Sequence, residues 1–375
     1  MKKMRIGILF GGRSGEHEVS IMSARSILKA IDREKYEVVM IGITKQGRWI
    51  CGDDSMRILE TGPEAVGSAP AAVLLADPDF NSIFRVSERA GGREFSLSRV
   101  VELDVLFPVL HGTYGEDGTM QGFFELADIA YVGSGVLGSA VAMDKGIFKS
   151  VMRAAHLPVL PAVIFNRSEY QLDPEAIIQH VLQEMTFPLF VKPVNLGSSV
   201  GVTKASDSNA LRSGLDEAAR WDRRLLVEQG IEAREIEVSV LGNDVPNPSV
   251  AGEIVPGREF YDYEAKYMND DSEFLIPAPI PDAQLERVRR LAVAAFKAAD
   301  CAGMARVDFL LDKSSNELWL NELNTIPGFT NISMFPKLWK ASGLEYTEII
   351  DRLIELALER KEQRDCVEHS FEVMH

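Results

Sequence analysis

The chain has 375 residues, of which 46 % are hydrophobic and 26 % charged, so composition excludes a disordered tail, a collagen-like fibre and a disulfide scaffold. At roughly 150 residues per domain the length predicts two to three domains. Forty Lys and Arg against 56 Asp and Glu leave a formal net charge of −16, which repels phosphate backbones and speaks against nucleic acid as a partner, though not against a local basic pocket for a small anion.

From the N-terminus, Met1-Lys2-Lys3-Met4-Arg5 opens like a signal peptide. The apolar run that follows, Ile6 to Phe10, is too short for one, because Gly11-Gly12-Arg13 breaks it. It reads instead as a buried strand. Ile21, Ala24, Ile27, Leu28 and Ile31 then recur at helical spacing, and Val38 to Ile41 is a second buried strand. Strand, glycine turn, helix and strand make a βαβ unit. Residues 45–100 are rich in Gly, Ala, Pro, Ser and Asp and weakly periodic, so an insertion or peripheral hairpins are expected there.

Asp104 to Leu110 is again a strand pattern, followed by the glycine-rich loop His111 to Gly118 and a helix over Met120 to Ala127. A second region starts near Gly133, with a helix over Met143 to Ala155 and strands at Ala162–Phe165, Leu189–Lys192 and Leu225–Glu228. The third opens with the strand Glu235 to Leu241. A long polar loop over Glu259 to Glu273, an amphipathic helix carrying Leu285, Val288, Leu291, Ala292, Ala295 and Phe296, and a terminal helix over Tyr346 to Arg360 complete it. The three cysteines, Cys51, Cys301 and Cys366, form no CxxC pair and suit a reducing compartment. No run approaches the ~18 apolar residues of a membrane span, so a cytoplasmic protein is expected.

The strongest chemical signal lies late in the chain. Met304 to Leu311 and Glu317 to Asn324 are strand patterns joined by Asp312 to Asn316, which predicts an antiparallel hairpin. Alternation places Arg306 and Asp308 on one face and Glu322 and Asn324 on one face. Symmetry about Ser315 sets 308 opposite 322 and 306 opposite 324. One reading is a salt bridge of Arg306 with Asp308 or Glu322, the rest solvated. The other is a hard-cation site, whose oxygen donors suit Mg²⁺ with substrate phosphates. The six histidines show no zinc spacing.

Asn195 to Gly201 follows a strand ending in Lys192-Pro193, and its backbone N–H groups could cradle phosphate oxygens. It lacks the Gly-Lys-Ser/Thr end of a P-loop. Gly11-Gly12-Arg13-Ser14-Gly15 has the wrong spacing for a dinucleotide fingerprint. Glu16 and Glu18 follow it; a carboxylate there suits a helix dipole and could hold an ammonium.

Five motifs in this order resemble the D-alanine–D-alanine ligases, ATP-grasp enzymes of peptidoglycan precursor synthesis. They are Gly11 to Ser20, the His111-Gly112…Gly115-Glu116-Asp117-Gly118 loop, Gly197 to Gly201, Tyr261 to Tyr267, and Asn321 to Gly328. The resemblance runs from Arg5 to about Arg360. It implies an α/β ATP-grasp fold of three domains: an N-terminal Rossmann-like substrate domain over 1–133, a central domain over 134–227 and a C-terminal domain over 228–375. ATP would lie between the last two. Lys145, Lys192, Ser198 and Ser199 would hold the phosphates, with Lys266 reaching in from a lid loop. Glu228, Gln229, Gly230 and Ile231 would form the adenine hinge, and Glu235 would take the ribose. Asp308, Glu322 and Asn324 would hold two Mg²⁺ or Mn²⁺.

The resemblance further implies that Glu18 pairs with the first D-alanine's ammonium and that His111 lies near its carboxylate. Ser333 and the Met334 N–H would take the second carboxylate. Arg306 and the Gly328 N–H would form an oxyanion hole, and Tyr267 would bond Ser198 and Glu18. Tyrosine at 267 points to a dipeptide product, whereas ligases that make D-alanyl-D-lactate lack it. A homodimer is also implied. The alternatives are a D-alanyl-D-lactate or D-alanyl-D-serine ligase, an NAD-dependent oxidoreductase suggested by the βαβ unit, and a non-catalytic nucleotide-binding module.

Overall fold

The computed structural model of the chain describes residues 2–62, 66–67, 69–88, 94–255, 273–330 and 332–368. The predicted first strand is β1 (Met4–Gly11) and the second β2 (Tyr36–Ile43), paired parallel across the helix His17–Ala30. That helix turns Val19, Ala24 and Ile27 into the core, as its spacing requires. The expected peripheral hairpins are β3 (Trp49–Cys51), β4 (Ala71–Leu74), β5 (Ser82–Glu88) and β6 (Phe95–Glu102), which pair antiparallel and extend the sheet beyond β2. On the other side β7 (Val105–Val109) and β8 (Ala130–Tyr131) continue the parallel half. The order is β6-β5-β4-β3-β2-β1-β7-β8.

A second, wholly antiparallel sheet holds β9 (Ala162–Asn166), β10 (Leu189–Pro193), β11 (Thr203–Ala205) and β12 (Arg224–Gln229), in the order β11-β10-β12-β9. The helices Pro174–Glu184 and Ser208–Trp221 cover one face. Each is started by a side-chain cap: Asp173 accepts from the Ala176 N–H, and Asp207 from the Asn209 and Ala210 N–H groups.

The third sheet contains β13 (Ala233–Gly242), β14 (Asn247–Val255), β15 (Glu273–Leu275), β16 (Gly303–Asp312) and β17 (Leu318–Asn324), in the order β15-β14-β13-β16-β17. The helix Asp282–Ala298 packs Val288, Ala292, Ala295 and Phe296 on it, together with Phe148 and Met152. The helix predicted over Met143 to Ala155 is Lys145–Ala154, and a further helix not predicted from the sequence, Val136–Met143, precedes it. Asp144 separates the two: its backbone is extended and its carboxylate accepts from the Gly146 and Ile147 N–H groups, starting the second helix.

The chain end returns to the beginning. The helix Tyr346–Asp365 buries Ile349, Ile350, Leu353 and Ile354 in one cluster with Ile6, Phe10 and Phe107 of the first sheet and with Phe329 and Phe335. Arg364 pairs with Glu125 and Asp128 beside it, and Arg360 lies over the Tyr131 ring. Among the described residues no helix is long and apolar enough to cross a membrane.

Leu353 has no exposure, so Leu353→Ala should lower stability by about 2–5 kcal/mol in urea denaturation. A loss below about 1 kcal/mol would mean that this helix docks on the first sheet without a close-packed seam.

Candidate functional site

The three sheets meet around one cavity of about 540 Å³. Its floor is the predicted hairpin. Arg306 pairs with Asn324 and Asp308 with Glu322, the register expected from symmetry about Ser315. Nearer the turn the register slips by one, with Phe309 opposite Leu320. A bulge at Asn321 reconciles the two halves. Its signal is legible in the sequence: Leu318 and Leu320 face the core at a step of two, but the next core residue is Leu323. The extra residue turns both Asn321 and Glu322 to the cavity.

β13 runs on the other side of β16 and sets Glu237 opposite Asp308. Three carboxylates, Glu237, Asp308 and Glu322, therefore lie in one cross-strand row. Like charges side by side are destabilising, and Arg306 offsets them. Its Nε and Nη2 donate to Asp308 Oδ1 and Oδ2 at 2.7 and 2.6 Å, and Nε lies 3.1 Å from Glu237 Oε2. Burial disfavours the guanidinium charge, but Asp308 and then Glu237 outweigh it and raise the Arg306 pKa well above its ordinary value. Asn324 Nδ2 donates to Asp308 Oδ2 at 3.0 Å.

Among the described residues no group of three or more His, Cys, Asp or Glu side chains makes a ready metal cage. Asp308, Glu322 and Asn324 offer two carboxylates and an amide, all hard oxygen donors. Such a set fits Mg²⁺ or Mn²⁺ whose other ligands are water and phosphate oxygens.

The opposite wall is the loop after β10. Ser198 and Ser199 both have left-handed backbone, φ 49° and 58°, a strained conformation for residues with a Cβ. Lys145 Nζ donates to the Leu196 carbonyl at 2.6 Å and anchors the loop from the start of its helix. Ser198 Oγ donates to Glu16 Oε1 at 2.5 Å. Glu16 sits tightly between two glycine loops: a Cβ on Gly112 would lie 2.6 Å from its Oε2, and one on Gly197 3.0 Å.

This placement corrects the expectation for Glu18. Its side chain is 57 % exposed and pairs with Lys45 at 2.5 Å, outside the cavity. Glu16 precedes the helix and points inward, while Glu18, two residues on in its first turn, faces away. The loop holds two acids, and spacing alone did not choose between them.

His111 is buried. Its Nδ1 bonds the Ile326 carbonyl at 2.9 Å and its Nε2 lies 3.1 Å from Ser23 Oγ, which also accepts from the Phe329 N–H. Burial pushes its pKa down, so the ring is neutral, with the Nδ1 proton on Ile326. Glu116, which the sequence placed in no role, accepts from the Gly112 N–H at 2.7 Å and from the Ile326 N–H at 3.0 Å. Both groups tie the first sheet's loop to the Ile326–Gly328 segment. Gly328 stands close to Ser333: a Cβ there would lie 2.9 Å from Ser333 Oγ. Ser333 and Met334 line the cavity at the start of the helix Met334–Ala341.

Lys192, Ser199 and Glu235 also line the cavity. Glu228, Gln229, Gly230 and Ile231 are not among its lining residues. The Gln229 and Gly230 N–H groups are taken by the Pro161 and Pro188 carbonyls, at 3.0 and 2.8 Å. The Gln229 side chain bonds the backbone of Thr186, Pro188 and Gly230. Lys266 and Tyr267, with most of the predicted loop over Glu259 to Glu273, lie outside the described residues.

Family models described as "D-ala D-ala ligase N-terminus" and "D-ala D-ala ligase C-terminus" match residues 5–134 and 151–355. The D-alanine--D-alanine ligase of Natranaerobius thermophilus is 48 % identical over 365 residues, 97 % of this chain and 98 % of the relative. That of Thermoanaerobacter sp. (strain X514) is 49 % identical over 365 residues, 97 % and 99 % of the two chains. The solved D-alanine-D-alanine ligase from Coxiella burnetii superposes with a TM-score of 0.81 at 36 % identity, covering 97 % of each chain. The VanG D-Ala:D-Ser ligase from Enterococcus faecalis gives 0.82 at 34 % identity, over 95 % of this chain and 100 % of its own.

Burial, and then the charge of Glu16, push the Glu116 pKa up from 4.5 to about 8. The folded chain thus prefers the neutral acid. Stability from this group is fully present below about pH 4.5 and is lost as pH rises toward 8. Glu116→Gln is neutral throughout, so its Tm relative to the parent should rise between pH 5 and pH 8 in thermal unfolding. A difference that is constant across that window would show that Glu116 ionises normally.

Proposed function

The chain belongs to the D-alanine–D-alanine ligase family, and on that premise we propose how its cavity performs the reaction. It is an ATP-dependent carboxylate–amine ligase of ATP-grasp fold that joins two D-alanines into D-alanyl-D-alanine for peptidoglycan precursor synthesis, releasing ADP and phosphate. The observation that carries the residue assignment is the meeting, in one cavity, of the Asp308–Glu322–Asn324 oxygen set, the Arg306 guanidinium and the Ser198–Ser199 loop.

Lys145 and Lys192 hold the ATP phosphates, with the backbone of Ser198 and Ser199 closing over them and Lys266 joining from the lid. The segment Glu228 to Ile231 is assigned to the adenine through backbone groups other than the Gln229 and Gly230 N–H, which the Pro161 and Pro188 carbonyls already hold, and Glu235 binds the ribose hydroxyls. Asp308, Glu322 and Asn324 hold two Mg²⁺ or Mn²⁺. When bound, these ions neutralise charge that develops on the transferring phosphoryl group.

Glu16 takes the first D-alanine's ammonium, in the place given to Glu18 from sequence. The neutral His111 lies near that substrate's carboxylate. One oxygen of this carboxylate attacks the γ-phosphorus, ADP leaves and an acyl phosphate forms. Ser333 and the Met334 N–H hold the second D-alanine's carboxylate. Its amine attacks the acyl carbon, and phosphate departs with the C–O electron pair. Arg306 and the Gly328 N–H stabilise the oxyanion between these steps. Tyr267, outside the described residues, keeps its proposed role as a partner for the Ser198 hydroxyl. We keep three domains in the proposal, 1–133, 134–227 and 228–375, although β12 of the second sheet runs on to Gln229, and include a homodimer in the cytoplasm.

Purified protein with ATP, a divalent cation and D-alanine should release phosphate and yield D-alanyl-D-alanine by mass spectrometry. No ATP turnover with any D-amino acid would sink the ligase reading. Phosphate release that needs D-lactate or D-serine as second substrate would move the chain to the D-lactate or D-serine ligases. Glu322→Gln should cut kcat by at least ~100-fold with a Tm no lower than the parent's; retained kcat would remove Glu322 from the metal set.

A further inference from the structure

One buried charge group takes no part in that scheme. Lys149 follows Lys145 by one turn of the same helix, yet it does not line the cavity. Its side chain is 3 % exposed, and its Nζ pairs with Glu228 Oε1. The other oxygen, Glu228 Oε2, accepts from Lys192 Nζ at 2.6 Å, and Lys192 lines the cavity. Glu228 lies opposite Phe190 in the β10–β12 register, so Lys192 is its diagonal neighbour. Lys149, Glu228 and Lys192 form a row from the interior to the cavity wall, with two cations about one carboxylate.

A carboxylate buried this deeply costs several kcal/mol unless a cation pairs with it. Were Lys192 the only ammonium present, Glu228 would hold it. Burial lowers the Lys149 pKa against the opposing pull of Glu228; while Lys149 is protonated the row carries one net positive charge, and only its cavity-side member can offer that charge to an anion. Burial pushes the Glu228 pKa up, but Lys149 and then Lys192 outweigh it and hold the group at about 2. The carboxylate is therefore charged at any working pH and always needs a partner.

We propose that Lys149 is the resident counterion of Glu228, a positioning residue that leaves Lys192 able to turn to a nucleotide phosphate. This rests on the reading of Lys192 as a phosphate contact. It also gives the Glu228 side chain a role apart from its backbone: a switchable partner that holds Lys192 until the nucleotide arrives.

The test is ADP binding by calorimetry, with thermal unfolding of each variant. Lys149→Met should weaken ADP binding roughly 10- to 100-fold, the span of one charge-assisted hydrogen bond. It should raise KM for ATP and leave KM for D-alanine unmoved. In a Glu228→Gln background no carboxylate captures Lys192, so the same substitution should shift ADP affinity by less than about threefold. Lys149→Arg should bind ADP as the parent does. Unchanged ADP affinity in Lys149→Met, or an equal loss in the Glu228→Gln background, overturns the proposal. Should Lys149→Met fail to fold, Lys149→Gln in the same two backgrounds carries the comparison. Lys192→Ala separates the premises: if ADP affinity survives it, the phosphate role of Lys192 fails whatever Lys149 does.

Discussion

Where β13, β16 and β17 run side by side, Glu237, Asp308 and Glu322 stand in one row, and a single guanidinium on the next row has to compensate them. Strands ~4.8 Å apart leave these carboxylates no room to separate. Arg306 answers two of them directly, bidentate to Asp308 and within 3.1 Å of Glu237. The row still carries more negative than positive charge. In the proposed function that residual field draws the cations, and through them a polyphosphate that the chain's overall charge of −16 would otherwise repel. The hairpin thus carries a structural cost that makes sense only beside a ligand of opposite charge.

The other walls are arranged about this floor by ties that cross between sheets. Ser198 reaches Glu16, Lys145 holds the Leu196 carbonyl, and His111 and Glu116 together grip Ile326 from both its carbonyl and its N–H. His111 is buried and Glu16, Glu116, Lys145 and Ser198 are half-buried, so these polar groups would be costly to leave unpaired. Consequently the glycine loop of the first sheet, the serine loop of the second and the Ile326–Gly328 turn of the third cannot move independently. The return of the helix Tyr346–Asp365 to the first sheet closes the same circuit through apolar packing.

Much of this was readable in advance. An apolar run ending at glycines marked β1, apolar runs leading into glycine-rich loops marked β7 and β10, and period-two alternation set Arg306, Asp308, Glu322 and Asn324 on facing surfaces. Even the bulge at Asn321 is written in the step from Leu320 to Leu323. The helix predicted over Met143 to Ala155 is Lys145–Ala154, whereas the helix Val136–Met143 before it went unread because Asp144 ends one helix and caps the next without a glycine or proline to mark the junction. The choice of Glu16 over Glu18 turned on where the helix begins, a matter of one or two residues that periodicity does not resolve.

What the sequence alone determined was local: which segments are strands or helices, which side chains share a face, and which order of motifs marks the family. Those follow from backbone periodicity and turn chemistry, which act over a few residues. Only the tertiary structure decided which of two acids enters the cavity, that Glu237 completes a carboxylate row, that Glu116 bridges two loops and that Lys149 backs Glu228. Each of those depends on groups tens to hundreds of residues apart along the chain. A buried charge acquires its meaning from what packs against it, and packing is the one property that spacing does not encode.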